Sequence, residues 1–277
     1  MKNALCLGSF DGLHKGHAAV LNVPCDCKKI AVTFKVPPKA VIKNQPLLIM
    51  SEKDKCAVLK EFGVKETVLL DFSKVKDTQP EDFFEWLVKE YNPSLISCVY
   101  DYRFGKNGAG DTDLLLKLCE VKGIELRKVP AVKENGKVIS SSSIREMLAT
   151  GKLSLANKLL YTPFSFEAEV VKGDKRGRTI GFPTINQKYP DELVRLKFGV
   201  YKTKVLWEDK AYYGITNIGI RPTFQSEHII SETFIKDFSG DLYGKNVRII
   251  PLKFIREEIK FSGIDELKAQ IYKDLKI

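Results

Sequence analysis

The chain has 277 residues, of which 44% are hydrophobic and 29% are charged, a balance that is ordinary for a globular protein and excludes an intrinsically disordered one. The formal net charge of +10 is shared evenly, with 25 basic against 19 acidic residues up to position 160 and 20 against 16 beyond it. Because no basic tail or stripe stands out, the charge favours a lysine-rich solvated surface over nucleic-acid binding, and it fits anionic substrates equally well.

The sequence carries no targeting signal that we recognise. The apolar run before Gly8 is too short for a signal peptide, and no run approaches the length of a membrane span, so we expect a cytoplasmic protein with no membrane partner. The six cysteines all lie in the first half and are expected to be reduced. Cys25 and Cys27 form a CxC pair, but no second pair completes a tetrahedral set, so we expect no metal there.

Short apolar strands alternate with amphipathic helices through the first 130 residues. Apolar runs predict strands at residues 4–7, 30–34, 68–70, 95–100 and 124–129. Helix starts are indicated between them by a capping box at 51–54, by Pro80 and by Asp111. This alternation predicts an open, mainly parallel sheet with helices on both faces, doubly wound, which binds ligands at the carboxyl ends of its strands.

The pattern changes from about residue 164. Segments rich in β-forming residues are separated by Gly, Pro and Asp turns, and they lie at Phe166–Val171, 199–206, 211–216, 232–238 and 247–254. They predict a small antiparallel β-barrel, followed by a terminal helix in which apolar residues recur at helical spacing from Ile264 to Leu275. Residues 152–161 predict a short helical connector. We therefore expect two domains, residues 1–160 and 161–277.

The turn after the first strand, GSFDGLHKGH at residues 8–17, holds two of the three histidines in the chain. Its three glycines would allow the backbone to pass close to a ligand, and the helix that follows would aim N–H groups at negative charge. His14 and His17 could be two metal ligands, two loop histidines, or donors to the phosphates of ATP. No further metal ligand is visible, so we favour nucleotidyl transfer.

Two further loops of the first half could contact a ligand. Residues 139–145 (ISSSSIR) could form a polar loop that caps a helix, or a loop of hydroxyl and N–H donors, with Arg145 one turn in, that grips phosphates. Asp101 follows a strand directly, where a sheet of this kind contacts its ligands. Tyr102 and Phe104 could flank a flat ring there, or they could only pack.

A second candidate phosphate loop spans residues 173–186 (GDKRGRTIGFPTIN). Its glycines and cations could converge on an anion, or they could form only a flexible basic hairpin. Thr184 and Asn186 stand at strand spacing and offer two oxygen atoms for Mg²⁺ on one face. Glu232 lies inside an apolar strand pattern, where it could be a salt-bridged structural acid or a base positioned on a substrate hydroxyl.

Taken together, the motifs resemble the bacterial bifunctional riboflavin kinase/FAD synthetase family. They follow one another through nearly the whole chain, at residues 8–17, 100–105, 139–145, 173–186, 217–224, 232–244 and 256–261. The resemblance implies an FMN adenylyltransferase domain at residues 1–160 and a riboflavin kinase barrel at 161–277. It also implies two reactions that use ATP and Mg²⁺: phosphorylation of riboflavin to FMN, then adenylylation of FMN to FAD with release of pyrophosphate.

The resemblance implies roles for individual residues as well. Glu232 would be the base on the 5′-hydroxyl of riboflavin, and Thr184 and Asn186 would hold Mg²⁺. His14, His17 and Arg145 would stabilise the triphosphate and the departing pyrophosphate. The other implied contacts with nucleotides and flavins are Gly8, Phe10, Asp11, Gly16, Asp101, Phe104, Ser141, Ser142, Gly173, Lys175, Arg176, Gly177, Arg178, Asn217 and Arg256. No nucleic-acid partner is implied.

The chain departs from the family pattern mainly in its first half. Pro37 stands where the family usually carries a histidine, and a proline offers neither a proton nor a donor. Val99 and Tyr161 stand in place of glycines, and Ser142 stands in place of a threonine. One alternative hypothesis therefore keeps only the riboflavin kinase, with a degenerate nucleotide-binding first domain. A second alternative, from another class, is a basic RNA-binding protein.

Overall fold

Residues 2–43, 48–173, 176–222 and 227–276 are described by a computed structural model of the chain. Contacts between Cα atoms separate the chain into two units, residues 1–143 and 144–277, and the division falls inside the helix Ser141–Ala149. It lies 17 residues before the domain boundary that the sequence predicts. The boundary between the two proposed functional domains stays a prediction.

The first unit is built on a sheet of five parallel strands. The strands are β1 (Lys2–Leu7), β2 (Cys27–Phe34), β3 (Glu66–Leu70), β4 (Pro93–Val99) and β5 (Glu125–Val129). Their order in the sheet is β3-β2-β1-β4-β5, so that the chain winds outward from β1 first on one side and then on the other. The predicted open parallel sheet is confirmed.

Helices connect these strands, and their ends follow the local signals in the sequence. They are α1 (Lys15–Leu21), α2 (Pro38–Lys43), α3 (Glu52–Glu61), α4 (Phe72–Val75), α5 (Pro80–Tyr91) and α6 (Thr112–Lys122). The Ser51 side chain caps α3 by accepting from the Asp54 N–H, and Asp111 caps α6 in the same way. The short hairpin β6 (Lys133–Glu134) and β7 (Lys137–Val138) leads into α7 (Ser141–Ala149).

Helices pack on both faces of the sheet, as the sequence predicts. Neighbouring residues of a strand point to opposite faces, so Ala4 and Cys6 belong to one core cluster and Leu5 and Leu7 to the other. Side chains of α1 and α3 complete the first cluster, and side chains of α5 and α6 complete the second. Burial on two faces explains why β1 is almost continuously apolar.

The second unit is built on a closed antiparallel barrel, which the sequence also predicts. Its elements are α8 (Leu153–Leu159), β8 (Phe166–Val171), α9 (Arg176–Thr179), β9 (Thr184–Lys188), β10 (Gly199–Trp207), β11 (Lys210–Pro222), β12 (Glu227–Ile235), β13 (Asn246–Arg256) and the terminal helix α10 (Ile264–Lys276). The strand order is β10-β11-β12-β9-β8-β13. The predicted α/β fold class, with a parallel sheet followed by a small barrel and a terminal helix, is confirmed.

Three details of the second unit differ from the prediction. The strand expected at residues 211–216 continues to Pro222. The strand expected at residues 232–238 begins five residues earlier and ends at Ile235, because Asp237 adopts a left-handed φ of 55° and turns the chain. The helix expected as a connector, α8, packs on the barrel strand β13: Asn157 Nδ2 donates to the Pro251 carbonyl at 3.1 Å. It is therefore part of the second unit.

Candidate active sites

The first candidate site lies where the strand order of the parallel sheet changes direction. The turn of residues 8–17 follows β1, and residues 100–105 follow β4, the strand beside it. The chain leaves β1 toward one side of the sheet and leaves β4 toward the other side. The loops at the carboxyl ends of these two strands therefore have a crevice between them, which is the usual ligand site of open α/β sheets. The sequence prediction of a site at these two loops therefore has a geometric basis.

His14 and His17 lie together at the start of α1. His14 is the N-cap residue: its Nδ1 accepts from the His17 backbone N–H at 3.3 Å. The two imidazole rings stack, with centroids 3.7 Å apart and planes 17° apart. A Cβ added at Gly16 would stand 3.0 Å from the His14 ring, a tight contact that would push the ring from this position. Because His14 Nδ1 accepts, the neutral ring carries its proton on Nε2, which is then a donor.

The turn is held by hydrogen bonds between side chains and backbone groups. Thr33 Oγ1, at the end of β2, donates to the Ser9 carbonyl at 2.8 Å, and Ser141 Oγ donates to the Asp11 carbonyl at 2.9 Å. Asp11 Oδ1 accepts from the Ile49 N–H at 2.9 Å. The turn therefore has one conformation fixed by three different segments of the first unit.

Phe10 and Asp11, both predicted to contact a ligand, are fully buried. Phe10 adopts a left-handed φ of 45°, which costs energy for a residue with a side chain, and its ring packs against His17 with centroids 5.4 Å apart. These placements give both residues a clear part in shaping the turn. Direct contact with a ligand stays a prediction for them.

The remaining predicted residues of this site lie on neighbouring loops. Asp101 is exposed just after β4, whereas Phe104 is buried and its ring stacks on Tyr102 with centroids 5.9 Å apart. Burial raises the pKa of the Tyr102 hydroxyl well above its ordinary value. Ser142 is exposed in the first turn of α7, and Arg145 follows one turn later, within the second unit. Their contacts with a ligand stay predictions.

The second candidate site lies on one face of three neighbouring barrel strands. Asn186 of β9 pairs with Glu232 of β12, and Glu232 pairs in turn with Asn217 of β11. Residues directly opposite each other on antiparallel strands share a face, with their Cβ atoms about 5 Å apart. Thr184 lies two residues from Asn186 and therefore shares that face too. The four polar residues predicted from separate motifs thus converge.

A cavity of about 850 Å³ opens beside this row. Its polar lining includes Thr184, Asn217, Glu232 and Glu258, and Asn217 Nδ2 donates to Glu258 Oε1 at 2.8 Å. Its apolar lining comes from the barrel, from neighbouring loops and from α10, and consists of Ile180, Phe182, Val200, Ile215, Phe234, Ile259, Phe261, Ile264, Leu267 and Ile271. A largely apolar pocket with a few converging polar groups suits a flat, mainly apolar ring system that ends in a polar chain.

Two glycines of the 173–186 loop pack closely against residues at or just before β9. A Cβ at Gly173 would stand 2.4 Å from Asn186 Nδ2, and one at Gly177 would stand 2.3 Å from the Phe182 carbonyl oxygen. Both positions therefore require glycine. Lys175 lies outside the described residues, and so do the side chains of Arg176 and Arg178. Their predicted contacts with phosphates stay predictions.

The oxygen atoms of Thr184 and Asn186 fit a magnesium ion better than a transition metal. Hydroxyl and amide oxygens are hard ligands, and Mg²⁺ typically takes only one or two protein ligands beside substrate phosphates and water. Within the part of the chain that the structure describes, no group of three or more His, Cys, Asp or Glu side chains is placed to hold a metal ion. An ion here would therefore depend on bound phosphates for most of its coordination.

Two buried charged residues near the sites are not predicted from the sequence. Asp274 of α10 forms a bidentate ion pair with Arg256 at the end of β13, with Nη2–Oδ2 at 2.7 Å and Nε–Oδ1 at 3.2 Å. Lys55 of α3 is 1% exposed. A signal exists for both: Asp274 stands three residues after Ile271, on the apolar face of α10, and Lys55 stands four residues before Leu59 on that of α3.

Arg256 is therefore already bound to a carboxylate, although it lines the cavity. Gln270 Nε2 also donates to Asp274 Oδ1 at 2.8 Å, so the carboxylate is held by two partners. This arrangement attaches α10 to the barrel and closes one wall of the cavity. The predicted contact between Arg256 and a substrate stays a prediction.

Comparison with known families covers both units. A family model described as FAD synthetase matches residues 1–143, and a model described as riboflavin kinase matches residues 160–277. The chain belongs to the bifunctional riboflavin kinase/FMN adenylyltransferase family. Because both models match this family member, the predicted bifunctional enzyme is confirmed and the kinase-only alternative is not supported.

Individual relatives match this chain along nearly their whole length. The bifunctional riboflavin kinase/FMN adenylyltransferase of Listeria monocytogenes is 32% identical over 99% of this chain and 90% of its own. The Escherichia coli enzyme of the same name is 34% identical over 98% of this chain and 90% of its own.

A solved structure from Streptococcus pneumoniae, described as a macrolide-efflux protein, has a TM-score of 0.90 and 32% identity. It covers 99% of this chain and 93% of its own, and it supports the two-part fold of this family member. Among the described residues of this chain, no helix is long and apolar enough to cross a membrane.

Proposed function

We propose that this family member makes FMN at the barrel and FAD at the parallel sheet, and that the residues named above carry out these two steps. The observation that carries the proposal is the convergence of Asn186, Glu232 and Asn217 in one row beside a flavin-sized cavity. The match of both family models to one chain supports the pairing of the two activities.

In the kinase step, Glu232 accepts the proton of the riboflavin 5′-hydroxyl. The freed oxygen forms a bond to the γ-phosphorus of ATP, and the bond between that phosphorus and ADP breaks. Thr184 and Asn186 hold Mg²⁺, which neutralises phosphate charge when it is bound. Gly173 lies against Asn186 of β9 and Gly177 against the Phe182 carbonyl, and N–H groups of this loop would donate to the phosphates. Positioning and charge neutralisation supply most of the catalysis in such transfers.

In the adenylyl transfer step, a phosphate oxygen of FMN forms a bond to the α-phosphorus of a second ATP, and the bond to pyrophosphate breaks. The Nε2–H of His14 donates to the phosphates, and His17 and Arg145 stabilise the negative charge that builds up on the leaving pyrophosphate. Ser141 holds the turn through the Asp11 carbonyl. No covalent intermediate with the enzyme is needed.

The substrates in this proposal are small molecules: riboflavin, FMN and ATP, with Mg²⁺ as the cofactor and FAD as the final product. No nucleic acid takes part. A cytoplasmic location, where ATP and Mg²⁺ are available, belongs to the proposal. The even spread of basic residues supports small anionic substrates rather than an extended polyanion.

The proposal is tested by incubating the purified protein with riboflavin, ATP and Mg²⁺, and separating the flavins by chromatography. We expect FMN to appear first and FAD to follow. FMN that accumulates without FAD, even with added pyrophosphatase, would rule out the second activity. Tight binding of structured RNA without flavin turnover would favour the RNA-binding alternative.

Two substitutions test the assignment of each step to its site. Glu232→Ala should abolish FMN formation and leave the conversion of supplied FMN to FAD intact, because the base acts only in the barrel. His17→Ala should do the reverse, with FAD formation slowed about 100-fold, since removing one such donor typically costs that much. Loss of both activities in either variant would contradict the assignment.

A further inference from the structure

Lys55 is a buried cation with backbone partners. Its side chain lies within the first unit, where the residue is 1% exposed. Its Nζ donates to the Phe34 carbonyl at 2.6 Å and lies 3.5 Å from the Lys35 carbonyl. Lysine is almost never fully buried without a specific partner, because removing an ammonium from water is costly. The position therefore calls for a functional explanation.

The two carbonyls mark the end of β2, beside the turn that carries the histidines. Phe34 is the last residue of β2, and Thr33 just before it holds the Ser9 carbonyl of the turn at 2.8 Å. Pro37, where the family carries a histidine, follows three residues after Phe34. Lys55 therefore fixes the strand end from which this departure begins.

Asp11 links the same cation to the turn itself. The carboxylate of Asp11 is fully buried and attracts the Lys55 ammonium. Burial lowers the pKa of Lys55 below its usual value, and the attraction of Asp11 opposes that change. Asp11 Oδ1 also accepts from the Ile49 N–H, and its carbonyl accepts from Ser141. The Lys55 side chain thus holds the end of β2 to α3, and Thr33 of β2 holds the histidine turn.

Stability alone is a poor reason for such an arrangement. Replacing buried charged groups by apolar residues of similar volume is often neutral or even stabilising. In contrast, a displacement of about 1 Å at a reacting group costs on the order of 100-fold in rate. A buried cation that holds the segments around the histidines therefore serves the positioning of reacting groups better than it serves stability.

We propose that Lys55 is a positioning residue for adenylyl transfer, which holds the end of β2, and through it the turn that Thr33 contacts, so that His14 and His17 face the phosphates in one fixed geometry. The inference rests on the proposed function of the first unit. It goes beyond that function because Lys55 contacts neither substrate nor reacting atoms and acts through the turn.

The test compares Lys55→Met with Lys60→Met in the full chain. Both residues lie on α3, and Lys60 is exposed, so the second variant is a matched control. Each protein is assayed for conversion of FMN to FAD and, as an internal reference, for conversion of riboflavin to FMN. We expect Lys55→Met to lower kcat for FAD formation at least tenfold, with KM for FMN and ATP changed less than threefold. FMN formation should stay within twofold of wild type, and Lys60→Met should leave both reactions unchanged.

Folding of the first unit is monitored separately. The chain has two tryptophans, Trp86 in α5 of the first unit and Trp207 in β10 of the barrel. In a Trp207→Phe background, the fluorescence of Trp86 therefore reports the first unit alone. All rates are measured about 15 degrees below the unfolding midpoint of each variant. At that temperature a two-state protein is almost entirely folded.

Several outcomes would overturn the proposal. Lys55→Met with wild-type kcat would do so, and so would a rate loss that disappears on cooling, since that would show only lost stability. If Lys55→Met does not fold, Lys55→Gln, which keeps one donor, is judged by the same criteria. If the wild-type protein makes FAD and both variants make it at the same rate, only the role of Lys55 is overturned. If the wild-type protein makes no FAD, the proposed function is overturned as well.

Discussion

The ion pair between Arg256 and Asp274 shows how one residue determines the shape of the barrel cavity. Asp274 is 1% exposed, and it receives two hydrogen bonds from the guanidinium Nε and Nη2. The aromatic ring of Phe261 packs under the same guanidinium, 5.8 Å from the ring centroid to Cζ. Arg256 therefore holds α10 against the barrel, and α10 forms part of the cavity wall.

Breaking this pair from one side should be costly. Asp274→Ala leaves a largely buried guanidinium without its carboxylate, so the free energy of unfolding should fall by about 3 kcal/mol. The double variant Arg256→Met/Asp274→Leu should recover most of that loss, because no uncompensated charge remains. Urea unfolding of both proteins in a Trp86→Phe background, followed by the fluorescence of Trp207, measures the two stabilities. A double variant that is no more stable than Asp274→Ala would contradict the explanation.

At this scale the sequence predicts residue types better than partners. Thr184 and Asn186 could be named because their oxygen atoms stand at strand spacing, and Glu232 because a carboxylate stands out in an apolar strand pattern. Their alignment in one row could not be predicted, because it depends on the pairing of β9 with β12. These two strands are 39 residues apart in the chain at their closest ends. Lys55 escaped prediction because a lysine on a helix is ordinarily taken as exposed.

The helices and strands follow local signals wherever the chain itself satisfies their ends. Helix α6 is an example: Asp111 Oδ1 accepts from the N–H groups of Leu114 and Asp113, and Gly123 ends the helix in a left-handed conformation. These hydrogen bonds lower the pKa of the Asp111 carboxyl. Both ends could therefore be predicted from the sequence.

The cap gives α6 a pH dependence that can be measured. A carboxyl whose pKa is lower in the folded state stabilises the fold above its unfolded pKa of about 3.9, and this contribution disappears as pH falls through the folded value. Asp111→Ala should therefore lower the unfolding midpoint at pH 7, with a difference that shrinks below pH 4. Asp111→Ser keeps an uncharged cap and should lose less stability at pH 7. Thermal unfolding at pH 7 and pH 3 checks both variants, and an equal loss for Asp111→Ala at both values would contradict the cap.

Strand ends that depend on neighbours were harder to predict. Strand β12 starts at Glu227 because it pairs with the preceding strand β11 as far as Pro222, a pairing that extends beyond the segment predicted at residues 232–238. It ends at Ile235 because the chain turns at Asp237. Antiparallel pairing thus overrides the composition of the segment.

At the scale of the whole molecule, each unit has its own sheet and its own proposed chemistry. The sequence could predict this division because cysteines, helical spacing and β-rich segments change together near residue 164. It could not predict that the contact boundary lies at residues 143 and 144, because α8 looks like a linker until its contacts with β13 are known. Family and fold were thus within reach of the sequence, and the packing of the connecting helix was not.

Separate cores predict separate responses to ligands. Riboflavin binds only to the barrel in the proposed function, so by mass action it should stabilise that unit by about 2.7 kcal/mol at a hundredfold excess over Kd. Differential scanning calorimetry should show one transition that moves with riboflavin and one that does not. A single transition that shifts as a whole would contradict this expectation.

The close approach of Gly173 to Asn186 has a consequence for how this sequence can vary. The backbone at position 173 occupies the space beside Asn186, a proposed magnesium ligand. A side chain at position 173 would therefore act on Asn186 as well as on the loop. An alanine at 173 would therefore have to displace the Asn186 amide, so a change in the loop would alter a proposed ligand of the ion in β9.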